Sequence, residues 1–264
     1  MIERDSNVSN PALENIRGKI EKSARLADRK TSDIALIAVS KTRSSDEIRP
    51  LLDAGHHVFG ENRVQEASEK WPALKADYPD IELHMIGQLQ SNKAAEAVAL
   101  FDYIHSVDRL SLIKALAKEM DRQERRLPCF LQVNIGEEPQ KGGCDIKAVP
   151  QLLEQARDAG IEVAGLMAVP PDGTNAMPYF ALLAKLARDN GLDGLSMGMS
   201  GDFEKAIKLG ATHIRVGTAS ATGSIISPCR FSRRSFRRSF RRSFRCLWPR
   251  GPLCALRACQ RRHS

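Results

Sequence analysis

The sequence predicts an α/β protein built as a (β/α)8 barrel. Eight short segments rich in Val, Ile and Leu recur along the chain. Each except the last is followed by a segment with helical spacing of its apolar residues. Short strands alternating with helices pair in parallel through right-handed crossovers, and eight such units in about 200–250 residues match a closed barrel. A doubly wound open sheet is the rival arrangement. The count of eight disfavours it, as does the lack of a GxGxxG after the first strand, where an open dinucleotide fold carries one.

The elements follow in order. Pro11 to Arg29 is an opening helix, with Leu13, Ile16, Ile20 and Leu26 near helical period. Ile34–Ser40 is the first strand. A helix starts at Ser45 with Asp46 and Glu47 in its first turn, and Gly55 lies just past its end. Strand and helix then alternate: His57–Gly60 and Val64–Tyr78, Glu82–Ile86 and Asn92–Leu100, Tyr103–Ser106 and Leu110–Arg126, Cys129–Asn134 and Ile146–Ala159. The helix after Val163–Ala168 spans Met177–Asn190. The helix after Gly194–Met197 spans Asp202–Leu209, and His213–Val216 is the last strand. Gly160, Gly191 and Gly210 each stop the helix before them.

Charge divides the 264 residues unevenly. The stretch 221–264 holds twelve Arg and no Lys or acidic residue, whereas 1–220 sets 28 basic residues against 32 acidic ones, a formal −4. The body reads as a mildly acidic soluble domain. No run of about 18 apolar residues argues for a membrane span, and MIERDSNVSN lacks the basic start and apolar core of a secretory leader. A cytoplasmic protein is expected. Its cysteines read as incidental free thiols, and no metal site is expected.

A barrel places its chemistry at the C-terminal ends of its strands. The first strand ends in Ser40-Lys41-Thr42. A lysine in a partly desolvated pocket loses proton affinity, and its neutral amine forms a Schiff base with an aldehyde. Taken alone, Lys41 also reads as a lysine snorkelling to solvent. The seventh end, SMGMSGD (Ser196–Asp202), opens a short helix; Gly198, Ser200 and Gly201 admit a ligand close to the backbone, and a helix start offers free N–H groups to an anion. The eighth, RVGT (Arg215–Thr218), adds Gly217 and the Thr218 hydroxyl. Barrel phosphate sites often form from these two loops. A Schiff-base lysine beside a phosphate site points to pyridoxal 5′-phosphate (PLP). Arg215, which can only donate, would then face the pyridine nitrogen.

A resemblance joins these pieces. AVSKT, FGENRVQE (59–66), ELHMIGQLQSNK (82–93), GLMAVPP (165–171), SMGMSGDFEKAIKLGAT (196–212) and IRVGTA (214–219) resemble, in that order, motifs of the pyridoxal phosphate homeostasis proteins. That family is similar to the N-terminal barrel domain of alanine racemase, and the match covers about residues 10–219. The resemblance implies that Lys41 carries PLP covalently and Asn62 lies beside the ring. It also implies that Ser200, Gly201, Gly217 and Thr218 hold the phosphate while Arg215 faces the pyridine nitrogen. Lys141, in the EEPQKGG loop after the fifth strand, matches a lysine linked to PLP transfer; its polar loop also suits a plain solvated lysine.

Two main classes compete: a monomeric PLP carrier that buffers PLP and hands it to PLP-requiring apo-enzymes, and a PLP-dependent amino-acid racemase. Racemases of this fold take a tyrosine base from a second domain. This chain has only Tyr78, Tyr103 and Tyr179, and no second domain is read after the barrel, which favours the carrier. A Schiff-base aldolase acting on a sugar phosphate is a third reading, disfavoured by Arg215 and the motifs.

Past Ala219 the resemblance stops. RRSF repeats three times in Arg233–Phe244, within a basic low-complexity stretch. Two units are therefore read: a PLP-binding barrel at 1–220 and an Arg-rich tail at 221–264, expected to be disordered after about residue 222. Such an abrupt change is what a shifted reading frame near codon 220 produces. The tail suits non-specific anion binding; neither a specific nucleic acid nor a membrane is expected as partner.

Overall fold

A computed structural model describes residues 10–217. Thr218, the division at 220/221 and the disorder expected after about residue 222 lie outside the described residues.

The described chain forms α1 (Pro11–Leu26), β1 (Ala35–Val39), α2 (Ser45–Asp53), β2 (Val58–Glu61), α3 (Val64–Asp77), β3 (Glu82–Met85), α4 (Ala94–Leu100) and β4 (Tyr103–Val107). It continues through α5 (Leu110–Arg122), β5 (Cys129–Val133), α6 (Val149–Asp158), β6 (Val163–Ala168), α7 (Met177–Asp189), β7 (Gly194–Met199), α8 (Phe203–Lys208) and β8 (His213–Gly217). The strands pair in parallel in sequence order, and β1 closes on β8 with Ala35–Val39 opposite His213–Gly217. The (β/α)8 barrel expected from the sequence is what the chain forms.

Helix ends depart from expectation where a non-glycine residue turns left-handed. α1 stops at Leu26, short of Arg29, because Asp28 takes φ 51°; α5 stops at Arg122, short of Arg126, because Glu124 takes φ 50°. Asn10 caps α1 by accepting the Leu13 N–H, with Pro11 as the first helical residue. The face of α1 made by Leu13, Ile16, Ile20 and Ala24 is buried, each larger side chain contributing roughly 1.5–3 kcal/mol. Arg29 then crosses to the end of α8 and donates to the Ile207 and Ala211 carbonyls at 3.0 and 2.7 Å, fastening the seam where the barrel closes.

Strand alternation sorts side chains between the barrel interior and the helix layer. In β2, Phe59 and Glu61 face α3, where Trp71 packs on Phe59 at 5.0 Å. Gly60 faces inward, and a methyl there would sit 2.7 Å from Ile37 and 2.9 Å from Ile86. The interior is mixed in character: His84, His105, His213 and Phe130 cluster within it, His105 stacked on Phe130 and His213 edge-on to both.

Candidate functional site

The register of the barrel gathers most of the residues named from sequence. Val39 of β1 pairs with Gly60 on one side and Gly217 on the other. Lys41 and Asn62 each lie two residues beyond that level, so they leave neighbouring strands at the same rim. Gly217 ends β8 on Lys41's other flank, and its N–H donates to the Ser200 hydroxyl at 3.1 Å. That bond ties the loop after β7 to the end of β8. Gly201 has open space where a side chain would stand. Asn62 borders a cavity of ≈ 370 Å³ with Gln88, Gln90 and Lys93. Ser200 and Gly201 border another of ≈ 310 Å³, shared with Lys205 and Lys208. A cavity of ≈ 590 Å³ opens at the opposite end of the barrel, beside Arg17, Ala35 and Val58, far from these groups.

Lys41 departs from its expected setting. Its side chain is exposed rather than partly desolvated, because β1 ends at Val39 and Lys41 starts a turn on the open rim. What is buried is the anchor beneath it. Lys70 of α3 donates to the carbonyls of Ser40 and Arg43 at 2.9 and 3.0 Å, on either side of Lys41. Lys70 is itself paired with the fully buried Glu61 at 2.8 Å. Glu61 also accepts from the Ser40 hydroxyl (2.6 Å) and the Trp71 indole (3.0 Å). Thr42 takes a left-handed φ of 62° and donates its N–H to Glu66, which Lys70 also contacts. The turn presenting Lys41 is thus clamped at three points by one cation and two carboxylates.

Arg215 lies one inward position below Gly217 and is buried. Its guanidinium donates to the Ser196 carbonyl (2.9 Å), the Ser196 hydroxyl (2.6 Å) and the Ala168 carbonyl (3.0 Å). All three acceptors are neutral. Burial brings its pKa down to about 10, opposed by the charge of Asp202, so it stays cationic at neutral pH. Two of its five N–H groups have no acceptor in these three bonds.

Lys141 leaves a strand that is no neighbour of the one carrying Lys41. It follows β5, across the barrel from β1. It is not a plain solvated lysine either: its amine pairs with Glu138 at 2.7 Å and donates to the Pro170 carbonyl at 2.9 Å. Beside it Gln88 donates to Gln132, and Gln132 to the Gly142 carbonyl. Sequence reasoning missed Glu61, Lys70, Ser196 and Gln132. The first two face the helix layer, and the signal that marks them is a charged residue at a position otherwise apolar in its strand or helix.

The rim is therefore rich in donors: an amine, a carboxamide, a hydroxyl, backbone N–H groups and a guanidinium underneath. The carboxylates at the rim are already engaged: Asp202 accepts the Met199 N–H at 2.6 Å, and Glu66 accepts the Thr42 N–H. Such a barrel mouth defines a site for an anionic ligand reached by a lysine. The sequence matches the alanine racemase N-terminal domain over residues 13–224. It is 40% identical over 210 residues to the pyridoxal phosphate homeostasis protein of Pseudomonas aeruginosa, covering 77% of this chain and 90% of that protein. Among solved structures, PipY of Synechococcus elongatus with PLP bound superposes with a TM-score of 0.66 at 38% identity, over 77% of this chain and 99% of that one. An unknown protein from Bifidobacterium adolescentis gives a TM-score of 0.75 at 29% identity, over 83% and 97%. The chain belongs to the alanine racemase N-terminal-domain family, among the pyridoxal phosphate homeostasis proteins.

Proposed function

We propose that this chain binds PLP covalently through Lys41 and serves cytoplasmic PLP homeostasis as a monomeric carrier, buffering PLP and handing it to PLP-requiring apo-enzymes. The observation that carries the reading is the convergence of Lys41, Asn62, Ser200 and Gly217 on one rim with a cationic Arg215 below. That donor set fits an anionic aldehyde with a phosphate and a ring nitrogen. Ser200, Gly201 and Gly217 would hold the phosphate, Asn62 would flank the ring, and Arg215 would donate toward the ring nitrogen. PLP supplies an aldehyde that captures amines and a ring that withdraws electrons. An arginine at that nitrogen keeps it unprotonated, which weakens the withdrawal and suits holding over turnover.

The placement of the tyrosines supports the carrier over a racemase. Tyr103 begins β4 at the end of the barrel opposite Lys41 and stacks on His84 at 4.6 Å. Tyr78 follows α3 and donates to Asp53, and Tyr179 sits in α7. A proton transfer on the face opposite Lys41 has no tyrosine at the rim among the described residues. Lys141, held by Glu138 and Pro170, would have to leave both to assist transfer.

The test is spectroscopic. The purified protein, reconstituted with PLP, should absorb in the visible and lose that absorbance in Lys41→Ala; borohydride reduction should leave the adduct on Lys41. A protein that cannot be loaded refutes PLP binding, and steady interconversion of L- and D-alanine refutes the carrier.

A further inference from the structure

A line of polar side chains runs through the barrel interior from Arg215 to the opposite end. Arg215 donates to the Ser196 hydroxyl at 2.6 Å. The same hydroxyl lies 2.8 Å from His105 Nδ1, His105 Nε2 lies 2.8 Å from His84 Nδ1, and His84 Nε2 lies 2.7 Å from a Glu82 carboxylate oxygen. These residues come from β8, β7, β4 and β3. Ser196, His105 and His84 are fully buried, whereas Glu82 opens β3 and its side chain is 42% exposed. The rings are fixed by their neighbours: His105 stacks on Phe130 at 4.4 Å and His84 on Tyr103 at 4.6 Å.

Elementary donor and acceptor counting gives this line one direction. A guanidinium can only donate, and an ionised carboxylate can only accept. Glu82 is held below the usual carboxylate range, first by its bond to His84, so it is ionised. His84 Nε2 must then carry the proton, and in a neutral ring Nδ1 must accept. His105 Nε2 therefore carries its proton and Nδ1 accepts. That acceptor needs the Ser196 O–H, whose oxygen is free to take the bond from Arg215. With both rings neutral every bond has one proton; a protonated ring would instead turn the Ser196 hydroxyl into an acceptor from His105 Nδ1 and reverse that bond. Burial, with the neighbouring histidines, holds His105 well below its ordinary pKa and so keeps it neutral.

We propose that Ser196, His105, His84 and Glu82 form a one-way positioning chain for Arg215, which fixes the guanidinium under the rim and couples it to the carboxylate at the other end of the barrel. The chain supplies what the buried cation lacks locally, since its three direct acceptors are neutral. Aligned bonds polarise one another, so the Ser196 oxygen becomes a better acceptor than an isolated hydroxyl. Its effect on a ligand rests on the PLP reading above; its existence does not.

The experiment labels histidine with ¹⁵N in the full chain and reads ring tautomers at pH 7. His84 and His105 should both be neutral with the proton on Nε2. Either ring found as imidazolium, or with its proton on Nδ1, overturns the proposal, and this measurement needs no variant. Glu82→Gln should shift the ring nitrogens of His105 as well as those of His84, because the carboxylate that orients the chain is gone. An unmoved His105 overturns the coupling. In PLP-loaded protein, Glu82→Gln should also shift the visible absorbance maximum, and an unchanged spectrum there overturns the positioning role. A protein that takes up no PLP defeats the ligand reading alone; the tautomers then decide the chain by themselves.

Discussion

At the scale of single residues, the site depends on a side chain that does not enter it. Lys70 touches no candidate ligand group, yet it holds the carbonyls on both sides of Lys41 and neutralises Glu61. Glu61 is fully buried and one of its oxygens, Oε2, has no partner among the described residues. The remaining oxygen therefore carries all of its compensation. Removing one member of a buried pair leaves an uncompensated charge and costs about 3–5 kcal/mol. Lys70→Met should lower stability by that order in urea titration. The double variant Lys70→Met/Glu61→Gln should recover part of the loss, because the stranded charge is removed. In both variants, amide exchange should rise first at Thr42 and Arg43, whose conformation the lysine clamps. Equal stability of wild type and Lys70→Met would show that solvent already screens the pair.

At the scale of elements, two glycines in neighbouring strands set how closely β6 and β7 approach. Gly165 pairs with Gly194, and a methyl on Gly165 would stand 2.0 Å from the Gly194 carbonyl oxygen. The obstacle is backbone, so no rotamer change relieves it. Gly165→Ala should cost at least the 1–3 kcal/mol typical of overpacking. It should also loosen Ala168 and Ser196, which hold Arg215. Gly18, exposed in α1 with nothing within 4 Å of an added methyl, should respond in the opposite sense. Gly18→Ala removes a helix-interior glycine and should stabilise by about 0.5–1 kcal/mol. Thermal melts of the two variants should move in opposite directions. The same contrast explains what the sequence reveals. Strands of a closed parallel barrel are covered on both faces and are mostly apolar, so all eight stand out as short runs even where a His, Ser or Arg points inward. Helix stops at glycine are visible, but those at Asp28 and Glu124 are not, since left-handed turns there depend on context. The rim residues are legible because each ends a strand or follows one within two residues. The interior chain is not: Glu82, His84, His105 and Ser196 are isolated polar residues, up to 91 positions apart between bonded partners, and only the barrel register aligns them.

At the scale of the whole molecule, folding removes several histidines from water in their neutral form. Burial takes His56 and His213 down to about 4, and His105 well below the ordinary value. His56 is held by the Val58 carbonyl at the start of β2, and His213 by Thr212 at the start of β8. They therefore report on closure of the barrel at its N-terminal end. The sign follows from which state binds more protons. In the unfolded chain these rings protonate below about pH 6.5; in the folded chain His56 and His213 stay neutral until about pH 4. Their contribution is thus complete above pH 6.5 and is lost as pH falls from 6.5 toward 4. Between pH 7.5 and pH 5, linkage gives about 2 kcal/mol of lost stability per histidine. Urea midpoints should therefore fall steeply over that interval, before carboxylate titration dominates. His213→Phe keeps a ring against Phe130 and His105 but cannot protonate in the unfolded state. Its stability should drop less between pH 7.5 and 5 than that of the wild type, by about the share of one histidine. A wild-type midpoint that stays level across this range would mean that the rings protonate in place, and that the interior is more open to water than its packing indicates.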